Sequence, residues 1–261
     1  MRKIVIIGVL ISLLVGCSSV LLTGRKQLNL VSDSEIQAMS LTQYQSFLNS
    51  SDVVISGTNT VLVKKVGRKI AQAVEHYMKL NGQSQEVKNY HWEFNLVKGQ
   101  QANAFCMPGG KVAVFEGILP YTQDETGLAV VLGHEVAHAI AKHSNERLSQ
   151  QMLMQYGADL TDLLLTQKST ITRQTIATLY GIGAKVGIAL PNSRKQELEA
   201  DRLGLIFMAM AGYNPQKAID FWQRMSAKGG SQSDFLSTHP SDSRRIAHIQ
   251  KRLPEALKYC K

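Results

Sequence analysis

Apolar positions at the start of the chain form one block. Met1-Arg2-Lys3 precedes a run from Ile4 to Val15, and Gly16-Cys17-Ser18-Ser19 ends it. A basic start, a short apolar stretch and a small residue at the break describe a secretory signal peptide, so residues 1–16 are read as a signal and 17–31 as a processed N-terminus and linker. Past that point the pattern becomes amphipathic. Ser32-Asp33-Ser34-Glu35 opens a helix to about Phe47, and a loop rich in Ser, Asn, Asp and Gly covers Asn49 to Thr58. Val61, Val63, Val66, Ile70 and Val74 recur at helical spacing in a second helix, about Asn59 to Leu80. Its Lys64, Lys65, Arg68 and Lys69 share a face, read as solvated.

Then the period shortens to two. In His91-Trp92-Glu93-Phe94-Asn95-Leu96 the apolar residues alternate with polar ones, and Lys111-Val112-Ala113-Val114-Phe115 is a second short strand. Gly99 to Gly110, with Pro108-Gly109-Gly110, reads as a turn between them. From Thr122 the chain looks helical almost to its end, with breaks near Pro191, Gly212 and Gly229-Gly230. The class is therefore α+β and mostly helical, a small sheet packed on helices, with residues 32–261 as one domain.

Composition narrows the class without changing it. With 261 residues, 44% hydrophobic and 19% charged, the chain is neither disordered nor a multi-span membrane protein. The net charge of +9 favours weak attraction to anionic surfaces. No recognition module or basic–aromatic interleaving points to nucleic acid, which is not expected as a partner. Three cysteines make no disulfide scaffold. Cys106 is read as a small buried hydrophobe, and its pairing with Cys260 is left open. Leu14-Val15-Gly16-Cys17 resembles a bacterial lipobox, which makes Cys17 a lipidation site. The rival is an uncleaved anchor, since the 19 residues from Ile4 to Leu22 approach the about 20 that span a bilayer. Ser12, Ser18 and Ser19, with positive charge on both flanks, count against it.

The candidate chemistry lies in Leu128 to Ile140. Thr122 and Glu125 have the spacing of a capping box, and the helix then carries His134-Glu135-Val136-Ala137-His138. Histidines four apart project from one face and can reach one metal ion; Glu135, one step round, borders the same space and can take a proton from a water there. The alternative is chance occurrence of the pattern on a core helix, against which stand the apolar flanks, because buried unpaired charge is costly. His143, five residues on, should face elsewhere and is not a ligand candidate. A catalytic zinc needs a third protein ligand, often a glutamate from another helix. Glu197-Leu198-Glu199-Ala200-Asp201 supplies one: Glu197 could bind the metal while Asp201 holds a histidine by its other ring nitrogen, and Glu199 points nearly opposite. By spacing alone a solvated acidic face is the favoured reading.

These two motifs together resemble the zinc metallopeptidase family that includes the CAAX prenyl protease, HtpX, BepA and the mitochondrial Oma-type protease. Thr23-Gly24-Arg25-Lys26-Gln27-Leu28 looks like the segment that opens Oma-like bacterial lipoproteins, and Asn103-Ala104-Phe105 with Pro108-Gly109-Gly110 resembles the family's strand and turn beside its cleft. The resemblance implies a gluzincin-type zinc peptidase domain with one zinc ion per chain, held by His134, His138 and Glu197, with Glu135 as catalytic acid/base. Ser237-Thr238-His239-Pro240 with Arg244-Arg245 resembles the family's His-Pro segment and downstream arginine. It implies that His239 either steadies the oxyanion or fills the metal's open position at rest. The expected function is a membrane-tethered zinc endopeptidase for protein or peptide substrates, in envelope protein quality control. Its expected place is the bacterial cell envelope, lipid-anchored at the outer membrane and facing the periplasm. A latent or chaperone-like assembly factor on the same fold is the alternative. An extended substrate is expected to add as a strand beside Val112, Ala113 and Val114.

Overall fold

A computed structural model describes residues 17–20, 23–156, 193–229, 235, 239 and 243–260. The expected signal peptide, the break at Pro191, and Ser237, Thr238 and Pro240 lie outside the described residues.

The described chain begins with two short antiparallel strands, β1 (Cys17–Ser19) and β2 (Lys26–Leu28). Helix α1 (Asp33–Asn49) follows its N-cap Ser32, then come β3 (Val53–Val54), the long α2 (Thr58–Leu80) and a single turn, α3 (Ser84–Val87). Strands β4 (Glu93–Val97), β5 (Ala104–Met107) and β6 (Lys111–Phe115) lead to the short α4 (Leu119–Thr122). Helices α5 (Glu125–Ile140), α6 (His143–Tyr156), α7 (Arg194–Met210), α8 (Lys217–Gly229) and α9 (Ser243–Leu257) make up the remainder.

The four-stranded sheet has the order β3-β4-β6-β5, with β4 and β6 parallel and the outer pairs antiparallel. Alternation sends Phe94, Leu96, Val112 and Val114 into the main core against α2, α5 and α7, while Val97, Ala113 and Phe115 meet Tyr44 and Phe47 of α1 on the other face. A central strand covered on both faces reads as a continuous apolar run, as β6 does. In α2, Val63, Val66, Ile70 and Val74 are buried as expected, but Val61 is 65% exposed.

Several expectations need correction. Gly99 to Gly110 is not only a turn, because Ala104–Met107 forms the edge strand β5. Strand β6 is hydrogen-bonded on both sides, by β4 and β5, and Val112, Ala113 and Val114 are fully buried. No peptide can add beside them. Helix α5 is capped by Asp124, whose Oδ1 accepts from Gly127 N at 2.7 Å. Thr122 belongs instead to α4, and Gln123, at φ 65°, separates the two helices. The segment 17–31 is not a free linker over its described residues. Leu30 N donates to Ser149 Oγ at 2.8 Å, and Asn145 Nδ2 donates to Val31 O at 2.8 Å, so this part docks on α6. Cys106 is buried, Cys260 is exposed, and they are not bonded to each other.

Two features fix α5. At its start, Glu125 accepts from Lys65 Nζ at 2.6 Å and from Tyr213 Oη at 2.6 Å, tying α2 and the α7–α8 turn to the helix N-terminus. At its middle it crosses α7 at Gly133 and Gly204. A Cβ on Gly133 would stand 2.9 Å from the Gly204 carbonyl oxygen, so only hydrogen fits there.

We expect Gly133→Val to force the crossing apart and cost about 1–3 kcal/mol in urea unfolding. The hydrogen bond from Lys65, then that from Tyr213, lowers the Glu125 pKa to about 2. A depressed carboxylate stabilises the fold above its unfolded pKa and loses that contribution as pH falls through the folded value. The stability gap between wild type and Glu125→Gln should therefore be constant above about pH 5 and shrink between about pH 4 and 2.

Candidate metal centre

Helix α5 is buried at every position from Gly127 to Ile140, which is unusual for a helix carrying two histidines and a glutamate. Its i, i+4 spacing turns His134 and His138 to one side. Across the glycine crossing, α7 opens with a capping box between Ser193 and Gln196, and Glu197 falls in the first turn, where the helix dipole favours a carboxylate. Asp201, one turn on, shares that face. His239 enters from the segment before α9.

The ligand atoms of His134, His138, Glu197 and His239 lie within 4.8 Å of one another, and all four residues are buried. His138 Nε2 is 3.0 Å from His134 Nε2, and His239 Nδ1 is 3.2 Å from His134 Nε2. The Glu197 carboxylate is 3.0 Å from His239 Nδ1 and 3.3 Å from each of His134 Nε2 and His138 Nε2. Ligands about 2.0–2.1 Å from a tetrahedral zinc are separated by about 3.3 Å, so these spacings match that geometry. Three ring nitrogens facing one another cannot all be satisfied by shared protons, and Glu197 Oε2 is ion-paired with Arg245 Nη1 at 2.9 Å. The donor set and its unshareable ring nitrogens fit a divalent metal.

Charge is balanced from α9. Arg245 forks onto Asp201, with Nε–Oδ2 and Nη2–Oδ1 both 2.7 Å, and its guanidinium lies 3.5 Å from the ring centroid of Trp222. Asp201 Oδ1 is also 3.0 Å from His134 Nδ1, leaving that histidine's Nε2 for the centre. Burial works to raise the pKa values of Glu197 and Asp201, but His239, Arg245 and His138 hold Glu197 well below the carboxylate range, and Arg245 with His134 lowers Asp201. Burial keeps His138 neutral, as a metal ligand must be.

Glu135 is the exception. Burial, augmented by Glu197, pushes its pKa up to about 7, despite the opposing pull of His239. Its Oε1 makes no hydrogen bond and lies 3.4 Å from His239 Nε2. A carboxyl group near neutrality beside a metal-ligand cluster is suited to take up and give back a proton.

The sequence expectations for His143 and Glu199 need revision. His143 does not face away: its Nδ1 is 2.8 Å from His138 Nδ1, and its Nε2 is 3.0 Å from Glu199 Oε2. The rotation of 100° per residue fails here because α5 ends at Ala141 and Lys142 takes φ 55°. His143 is outside the ligand cluster, but it touches a member of it. Glu199 does point away from the ligands and is not solvated. Val112, Ala113 and Val114 are not brought to the site surface, and Cys17 is the first residue of β1. Arg245 was visible in sequence only as a downstream arginine; no local pattern reveals its pairing with Asp201.

The sequence signature of Peptidase family M48 matches residues 64–253. The chain is similar to the mitochondrial metalloendopeptidase OMA1 of Schizosaccharomyces pombe, at 40% identity over 63% of this chain and 48% of that protein. It is similar to the mitochondrial metalloendopeptidase OMA1 of Homo sapiens at 30% identity, over 91% of this chain and 46% of that one. It also resembles the beta-barrel assembly-enhancing protease of Escherichia coli, at 28% identity over 67% of this chain and 37% of that protein. The chain thus spans about half or less of the length of these relatives. The expected location, lipid-anchored at a bacterial outer membrane and facing the periplasm, is overturned: relatives at 30–40% identity are mitochondrial proteins of eukaryotes. Among the described residues no helix is long and apolar enough to cross a membrane.

Replacing Arg245 by Met would leave Asp201 and Glu197 without their buried counter-charge. We expect a loss of about 3–5 kcal/mol in urea unfolding of Arg245→Met, and Trp222 fluorescence on the same samples should report the loss of the stacked guanidinium.

Proposed function

This chain belongs to peptidase family M48, a family of zinc metallopeptidases, and from that membership and the site geometry we propose that it is an endopeptidase whose centre is closed at rest. The observation that carries the proposal is the convergence of His134, His138, Glu197 and His239 beside a glutamate poised near neutrality.

Zinc is the cofactor; when bound it supplies Lewis acidity toward the scissile carbonyl. His134, His138 and Glu197 would hold it. Asp201 orients His134, and Arg245, with His239 beside Glu197, keeps Glu197 and Asp201 ionised. Glu135 takes the proton of the attacking water and passes it to the leaving amine. Its elevated pKa permits both transfers near neutral pH. The apolar surroundings from Trp222 and Phe235 exclude bulk water from these groups.

A substrate strand needs an unpaired sheet edge, and β6 has none. Among the described residues strand β5 does: it ends the sheet order, with β6 as its one partner there, and it packs on α5. An extended peptide along Ala104–Met107 would be bound through main-chain groups, with little demand on its sequence. That suits unfolded or unassembled proteins as substrates, and quality control as the role. His239 is the restraint. Its Nδ1 occupies the fourth corner of the ligand set, and its Nε2 faces Glu135.

Glu135→Gln should retain zinc while cleavage of casein falls by about 10²–10⁴; activity within a few-fold of wild type would identify another base. One zinc per chain should be found by elemental analysis, and none in the double variant His138→Ala/Glu197→Ala. His239→Ala should keep its zinc and raise basal hydrolysis of a short peptide, whereas a role at the oxyanion would lower it by about 10²–10³.

A further inference from the structure

The N-terminal hairpin reaches the metal centre through an unbroken chain of polar contacts. Arg25, in the turn between β1 and β2, binds Glu146 of α6 with both terminal nitrogens, at 2.6 and 2.7 Å, and places its Nε 2.7 Å from Glu199 Oε2. Thr23 Oγ1 donates to Glu199 Oε1. Glu199 in turn faces His143 Nε2 at 3.0 Å, and His143 Nδ1 faces His138 Nδ1 at 2.8 Å. His143 is fully buried.

The proton positions along this chain have one consistent arrangement. A carboxylate can only accept, so the His143 proton sits on Nε2 and its Nδ1 is an acceptor. His138 must then carry its proton on Nδ1 and donate it to His143, which leaves the His138 Nε2 lone pair directed at Glu197 and His134. That is the tautomer a metal ligand requires. Arg25 and Thr23 hold the Glu199 carboxylate from outside, one on each oxygen, so that it stays aimed at His143.

We propose that Arg25 is a positioning residue for the metal centre, acting through Glu199 and His143 to fix the tautomer and ring orientation of His138. Arg25 is then part of the peptidase machinery, although it precedes the residues 64–253 that carry the family signature. The proposal rests on the reading of His134, His138 and Glu197 as the metal ligands.

The test uses the full chain and zinc itself. Zinc affinity is measured by competition with a chromophoric chelator, and Tm is measured with saturating zinc and with excess EDTA. Arg25→Ala should bind zinc about 10–100-fold more weakly, with kcat on a peptide lowered and KM little changed. The Tm gap between the zinc-loaded and metal-free forms should narrow. A merely structural hairpin would lower both melting temperatures equally and leave the gap as it was. Because Arg25→Ala also removes two ion pairs, His143→Phe supplies the second arm: it breaks the relay but spares the Arg25–Glu146 contact, and should weaken zinc by a similar factor. Lys26→Ala, on the same hairpin but exposed, should match wild type. Wild-type zinc affinity in both Arg25→Ala and His143→Phe would overturn the proposal. If His138→Ala also retained zinc, the ligand assignment itself would have failed; if His138→Ala lost zinc while the other two kept it, only the relay would be wrong.

Discussion

The site depends on how closely two helices can approach. Because Gly133 and Gly204 meet backbone to backbone, His134 on α5 and Glu197 and Asp201 on α7 lie within hydrogen-bond distance without any long side chain having to reach. Side chains as short as Asp and His hold few rotamers, so the cluster is rigid by construction. The same proximity concentrates negative charge. Glu135, Glu197 and Asp201 are all buried, and the positive charge of Arg245 and the metal makes their burial tolerable.

Within that arrangement the two carboxylates beside the ligands are pushed apart in proton affinity. Glu197 lies next to Arg245 and the histidines and stays ionised; Glu135 is buried without an equivalent partner and is raised to about 7. Environment, not residue type, sets the two apart in proton affinity.

What the sequence could reveal follows from the range of the interactions. The shared helix faces of His134/His138 and of Glu197/Asp201 and the polar helix start at Ser32 are local and were legible, whereas the cap of α5 fell on Asp124 and not on Thr122. Strand β6 looked like a docking edge because its apolar run is local while the order β3-β4-β6-β5 is not. His143 was misjudged because one left-handed residue, Lys142, interrupts the periodicity that the extrapolation assumed. The segment 17–31 read as a linker because the partners that hold it, Glu146, Ser149 and Glu199, lie more than a hundred residues further on. Glu199 was read only as pointing away from Glu197 and Asp201, and its partners Arg25 and His143 were out of view for the same reason.

The Arg25–Glu199 contact joins positions 174 apart in the chain. Closing so long a loop costs entropy before it yields any contact, and pairings of this separation form late in folding. The hairpin must therefore wait for α7, 174 residues later at Glu199, before its contact with that helix can form. A chain still emerging, or cut short before α7, carries the His134-Glu135-Val136-Ala137-His138 helix without the residues that would make it dangerous. On the proposed function, hydrolytic competence would then arrive only with the finished fold.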